Sequence, residues 1–163
     1  MNTPTHAGKY ILDTNTLIGF SIWVPIDLNR NFWKKLEDSL QNGEWTLLDV
    51  VVGEIKYAND GLKQWCETQR KKGLMRSIDD SHRNRAVEIN NAYPIIDEAT
   101  GKSTADVYFI AYAEANQLTI LTREGYREKI SDLHKIPDVC KVLNIQFVRR
   151  PKEFLESIGF NNN

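Results

Sequence analysis

The chain has 163 residues, with 21 Lys and Arg against 22 Asp and Glu, two cysteines, 41% apolar residues and 26% charged ones. That length suits a single domain that buries a core without staples, and the ordinary composition excludes a collagen, a mucin or a disordered tail. A net charge of −1 excludes a domain-wide basic footprint for nucleic acid, so any such binding has to use a local patch.

Met1 to Lys9 is short and polar, unlike a signal peptide. Tyr10-Ile11-Leu12 then reads as a short strand, followed by Asp13-Thr14-Asn15. Asn31 to Leu40 reads as a helix capped by Asn31 and stopped near Gly43, and Trp45 to Leu48 as a second strand. Val50 to Ala58 is expected to be helical with Asp49 at its start, and Gly61 to Lys71 and Ser81 to Ala92 as two further helices. Ser103 to Ala115 carries the clearest helical pattern, with Val107, Ile110, Ala111 and Ala115 on one side. Leu118 to Leu121 is a short apolar strand, Ile145 to Val148 another, and Pro151 to Ile158 a closing helix with proline in its first turn.

Strands separated by helices predict parallel pairing, hence an α/β fold with helices on both faces of the sheet. No apolar run approaches the roughly 18 residues a membrane span requires, so the expected location is the cytoplasm, with no membrane partner. Cys66 and Cys140 lack CxxC or metal-finger spacing and read as reduced thiols.

In open α/β sheets, ligands bind beyond the C-terminal ends of the strands. Asp13 follows the first strand, Asp49 and then Glu54 follow the second, and Thr122-Arg123-Glu124 follow Leu121. Asp106 lies in the first turn of the helix that leads into that last strand. Asp13, Glu54, Asp106 and Glu124 can thus converge on one edge. Such a cluster repels itself unless protons or cations neutralise it, and an all-oxygen acidic site suits Mg²⁺ or Mn²⁺.

Each acid also has a plainer explanation. Asp13 can cap the helix after its strand. Ser103-Thr104-Ala105-Asp106 resembles a capping box. Glu54 can sit on a solvated helix face, and Glu124 in a solvated loop. Asp138, after Pro137, falls in a helix's first turn, where the dipole alone favours a carboxylate. Glu124 is preferred to Asp138 as the fourth member because it directly follows an apolar strand, an anchor that Asp138 lacks.

Other features carry less. Gly101-Lys102-Ser103-Thr104 looks like the end of a P-loop, but the first glycine of that motif is replaced by Ile96. Leu12 to Thr16 resembles a haloacid dehalogenase start in which the second aspartate, the proton donor, is Asn15. His6, His82 and His134 form no spaced ligand set. Trp23, Trp33, Trp45 and Trp65 are expected in or beside the core. The basic run around Arg70-Lys71-Lys72, with Lys63, Arg76, Arg83 and Arg85, is a solvated face that can also steer a polyanion.

Tyr10 to Ile18, with its apolar strand ending in Asp-Thr-Asn, resembles the opening of PIN-domain ribonucleases. Glu54-Ile55 is similar to the acidic position after that family's second strand, and Ala105 to Ala113 closely resembles its third acidic motif. Leu118 to Glu124 resembles the fourth strand and its polar end, and Ile136-Pro137-Asp138-Val139-Cys140 a motif of one bacterial, VapC-like subgroup. The likeness spans about residues 9 to 158.

It implies a five-stranded parallel sheet ordered 3-2-1-4-5 and metal-dependent RNA cleavage, in many small bacterial members as a toxin with a cognate antitoxin. It also implies that Asp13, Glu54 and Asp106 hold Mg²⁺ or Mn²⁺, while Glu124 or Asp138 serves a second ion. On this reading the ion lowers the pKa of a bound water and polarises the scissile phosphate. Asn15 and Thr122 orient the carboxylates, Arg123 touches the phosphate, and the protein works as a homodimer. The alternatives are a PIN scaffold that binds RNA or protein without cutting, and a dehalogenase-type phosphohydrolase with Asp13 as nucleophile.

Overall fold

The structure is a computed structural model and describes residues 9–55 and 61–160. Five strands form it: β1 (Tyr10–Leu12), β2 (Trp45–Leu48), β3 (Met75–Arg76), β4 (Thr119–Leu121) and β5 (Phe147–Val148). All pair in parallel, in the order β3-β2-β1-β4-β5. The helices are α1 (Thr14–Trp23), α2 (Arg30–Gln41), α3 (Val50–Glu54), α4 (Leu62–Lys71), α5 (Asp80–Ala92), α6 (Thr104–Asn116), α7 (Ile136–Leu143) and α8 (Lys152–Ser157). They flank the sheet in the three-layer α/β/α arrangement expected from the alternation of strands and helices.

β1 and β4 are buried along their whole length. A parallel strand covered on both faces tolerates only apolar side chains, and Ile11, Leu12, Ile120 and Leu121 meet that demand with almost no exposure. Leu47, Leu48, Phe109, Ile110, Trp33 and Phe154 complete the densest part of the core. The register pairs Leu12 with Leu121, so the segments leaving β1 and β4 start side by side at one edge of the sheet.

Several boundaries differ from the sequence reading. α2 starts at Arg30 behind Asn29, whose side chain makes no capping bond, so Asn31 is not the cap. α3 is described only to Glu54; the expected continuation over 56–58 lies outside the described residues, as do Met1 to Gly8, His6 among them, and Asn161–Asn163. β3 has no counterpart in the sequence reading. It is two residues long, and Met75-Arg76 carries no alternation to mark it.

Trp33 and Trp45 are buried and Trp65 packs against both, but Trp23 is 77% exposed. It is the last residue of α1. Cys66 and Cys140 are both buried and form no disulfide. Among the described residues, no helix is long and apolar enough to cross a membrane.

Candidate active site

Asp13 leaves β1 in an extended conformation and is the N-cap of α1. Its Oδ1 accepts the amide of Thr16 at 2.9 Å, while the Thr16 hydroxyl donates to the Leu121 carbonyl at 3.1 Å and ties the start of α1 to the end of β4. The capping role foreseen for Asp13 is therefore real. Capping uses one side of the carboxylate only, and the group is just 2% exposed. Burial pushes its pKa up, against hydrogen bonds from Thr122 and Thr16 and the charge of Arg123.

The capping box proposed for Asp106 does not form. Ser103 precedes α6 with φ at 71° and makes no side-chain capping bond. The Asp106 carboxyl instead feels the charges of the other acids. Burial, and then the charges of Glu124, Glu54 and Asp13, push its pKa up to about 8, against a hydrogen bond from Ser103. The charges of Glu124, Glu54 and Asp13 are thus all felt at Asp106, after burial as the larger cause.

Glu54, the last residue of α3, is half-buried and accepts a short hydrogen bond from the Thr14 hydroxyl across 40 residues of chain. It is thus not on a freely solvated face. Glu124 is half-buried as well. Its amide donates to the Thr122 hydroxyl oxygen at 3.1 Å and its Oε1 accepts the amide of Ile136 at 3.1 Å. Burial raises its pKa, the Ile136 bond opposes that, and Asp13 adds to the rise.

Asp138 is engaged elsewhere. Its Oδ2 accepts the amides of Lys135 at 2.8 Å and Arg127 at 3.0 Å, which fastens the loop before α7. Its charge is felt at Glu124.

Thr122 is fully buried between Asp13 and the Glu124 amide, so it orients both. Asn15 is exposed on the first turn of α1. The residues that hold the acids and escaped the sequence reading are Thr14 and Thr16. Both stand beside Asp13 in the quoted motif, but hydroxyl partners far apart in sequence leave no local signal.

Arg123 lies along α1 where Gly19 leaves room, and a β-carbon there would collide with the guanidinium. Gly19→Ala is expected to keep or raise stability, because alanine gains about 1 kcal/mol of helix preference over glycine, while displacing Arg123 from Asp13. Urea melts together with RNA affinity check both halves.

The basic run reads differently once folded. Arg70 pairs with Glu67 at 3.3 Å, Lys72 with Glu37 at 2.8 Å, Arg83 with Asp80 at 3.0 Å and Arg85 with Glu114 at 2.6 Å. Most of its charge is thereby matched locally, which weakens its claim on a polyanion. His82 is also occupied, closing a reciprocal cap with Asp79 at the start of α5.

As the side chains stand, no group of three or more His, Cys, Asp or Glu among the described residues is disposed to hold a metal ion. The donor chemistry nevertheless fits a hard divalent cation. Each of these four groups is a carboxylate, and a nearby cation would favour the ionised form of Asp106, whose pKa is pushed up to about 8.

The model of a family described as a domain of unknown function, DUF4411, matches residues 10–161. The chain belongs to the DUF4411 family. No curated protein and no solved structure matches it. All four converging acids of this DUF4411 protein, with Thr14, Thr16, Thr122 and Arg123, lie inside the matched span.

Proposed function

We propose that this DUF4411 protein is a Mg²⁺- or Mn²⁺-dependent endoribonuclease of PIN type, acting as the toxin of a bacterial toxin–antitoxin pair. The observation that supports this reading is that Asp13, Glu54 and Glu124 lie beyond the C-terminal ends of β1, β2 and β4 and that their charges are all felt at Asp106. A surface that merely binds has no use for like charges desolvated against one another, whereas a cation site needs them.

Asp13, Glu54 and Asp106 would hold the ion, and Glu124 the second side of the site in preference to Asp138, whose carboxylate already serves two amides. When bound there, a divalent cation would supply positive charge for water activation and for the charge that develops on the phosphate. The protein's own groups do the positioning. Thr14 fixes the Glu54 carboxylate, and Thr122 and Thr16 fix that of Asp13. Rigid hydrogen-bonded carboxylates of this kind need little reorganisation during the reaction. Arg123 places a positive charge beside Asp13, where a phosphate oxygen can be met. Homodimer assembly and an antitoxin partner belong to the same proposal.

Purified protein is expected to cut single-stranded RNA with Mg²⁺ or Mn²⁺ present and to lose at least about 100-fold of that activity in excess chelator, the scale on which removal of transition-state charge stabilisation is felt. RNA left intact by folded protein with either ion overturns the reading.

A further inference from the structure

Beside the acidic centre, a pocket of about 410 Å³ opens between α1 and the segment leading into α8. Phe20, Trp23 and Leu155 give it apolar walls, and Arg123 and Arg149 stand at its side. Thr16, which caps Asp13 through its amide, lines it too, so pocket and acids share a wall. Arg123 follows β4 and Arg149 follows β5, which puts both at the sheet edge that carries the acids.

Each guanidinium rests on a glycine. Arg123 lies on Gly19, and Arg149 lies on Gly125, where a β-carbon would come within 3.0 Å of Nη2. Among the described residues, neither arginine makes an ion pair with a carboxylate, unlike Arg70, Arg83 and Arg85. Two guanidiniums outside any ion pair among the described residues are thus held beside an apolar pocket whose volume lies within the roughly 300–1,000 Å³ of small-ligand sites.

An acidic centre repels a phosphodiester chain, so cations beside it have to hold the strand. Trp23 offers a bare indole face at the rim, and every nucleobase has a face that stacks on one. Within a duplex those faces are covered.

We propose that the pocket seats an unpaired base of a single-stranded RNA, stacked against Trp23, with Arg123 and Arg149 holding the phosphates on either side. The choice of RNA rests on the nuclease reading above; the site itself rests on the two arginines and the indole. It makes the protein selective for unpaired RNA and places the strand with its backbone over Asp13.

The test is fluorescence anisotropy of the full chain with a fluorescein-labelled single-stranded RNA oligonucleotide in excess chelator, so that binding is read without cleavage. Trp23→Ala and Arg149→Ala are each expected to weaken binding about ten-fold, with Trp23→Phe close to the parent, as a stacking site requires. Arg149→Ala should also lower the slope of log affinity against log salt by about 0.7, one phosphate contact on a single strand. A duplex of the same sequence should bind more weakly.

Both residues are exposed, so neither change disturbs the core. Equal affinity of parent and both variants, equal affinity for duplex, or no RNA binding by the parent each overturns the site. A concentration-dependent dimer dissolved by Trp23→Ala without change in RNA affinity assigns the pocket to a second copy and also overturns it. Binding lost in the variants but no cleavage by the parent with Mg²⁺ or Mn²⁺ leaves the site standing and removes the nuclease reading. Cleavage by the parent with unaltered affinity in both variants does the reverse.

Discussion

Asp106→Asn is expected to abolish RNA cleavage and, at pH 8 without metal, to leave the protein more stable than its parent. The two effects have one cause. Asparagine keeps the shape of the side chain and removes the charge that Glu124, Glu54 and Asp13 resist. Removing a charge from the centre lowers its hold on a divalent cation, with an expected loss of at least about 100-fold in cleavage. It also ends a repulsion that the metal-free fold has to bear.

No backbone cap is lost, because the Ser103 side chain caps no amide of α6, and the asparagine Oδ1 can still accept the Ser103 hydrogen bond. The counter-case is explicit. If Asp106 served only the helix start, the substitution would cost about 0.5–1 kcal/mol and spare turnover. Labelled-RNA cleavage and urea melts on the same preparation decide between the two outcomes. Asp13→Asn is expected to be inactive as well and near parental stability, since asparagine caps as well as aspartate, whereas Asp13→Ala also loses about 1 kcal/mol with the cap.

Metal-free protein should lose stability as the pH rises from 5 to 8. Asp106 titrates near 8 in the folded chain and near 3.8 when unfolded. Between those values the folded state binds a proton that the unfolded state has released. The slope of unfolding free energy against pH is then negative, as much as about 1.4 kcal/mol per pH unit for one group. Stability conferred by the protonated form is complete below about pH 4 and gone above about pH 8.

Asp13 and Glu124 are shifted upward too and act in the same direction. Glu37, held low by its bond with Lys72, acts the opposite way, but its effect is felt only where carboxylates of ordinary pKa protonate, below pH 5. After allowance for partial exposure, the fall across pH 5 to 8 should be on the order of 3 kcal/mol. Mg²⁺ or Mn²⁺ should restore most of it at pH 8 and little at pH 5. Urea melts at both pH values, with and without the ion, provide the measurement. Stability that rises between pH 5 and 8 in the absence of metal would show that the acids are not coupled.

What the sequence determined by itself was local and periodic. Tyr10–Leu12 and Leu118–Leu121 are short and, but for Thr119, apolar or aromatic, which suits the centre of a covered parallel sheet, where β1 and β4 indeed lie. The alternation of strands and helices set the parallel class, and the likeness of Tyr10–Ile18 and Ala105–Ala113 to a known family supplied the strand order. The acids after the strands were visible because the C-terminal edge of such a sheet is a known place for ligands.

Tertiary structure decided which of those acids meet. Ser103 adopts a left-handed conformation and its side chain caps no amide of α6; backbone conformation at one residue is not written in a capping-box spacing. Asp138 and Glu124 are both carboxylates beside α7, and only the folded loop gives Asp138 two amides to hold and sets Glu124 against Asp13. Thr14 reaches Glu54 from 40 residues away, and Met75-Arg76 becomes β3 only because Leu47–Leu48 lies beside it. Arg149 and Trp23 come to the pocket from opposite ends of the chain. These contacts depend on three-dimensional closure rather than on period or spacing, which is why spacing alone did not reveal them.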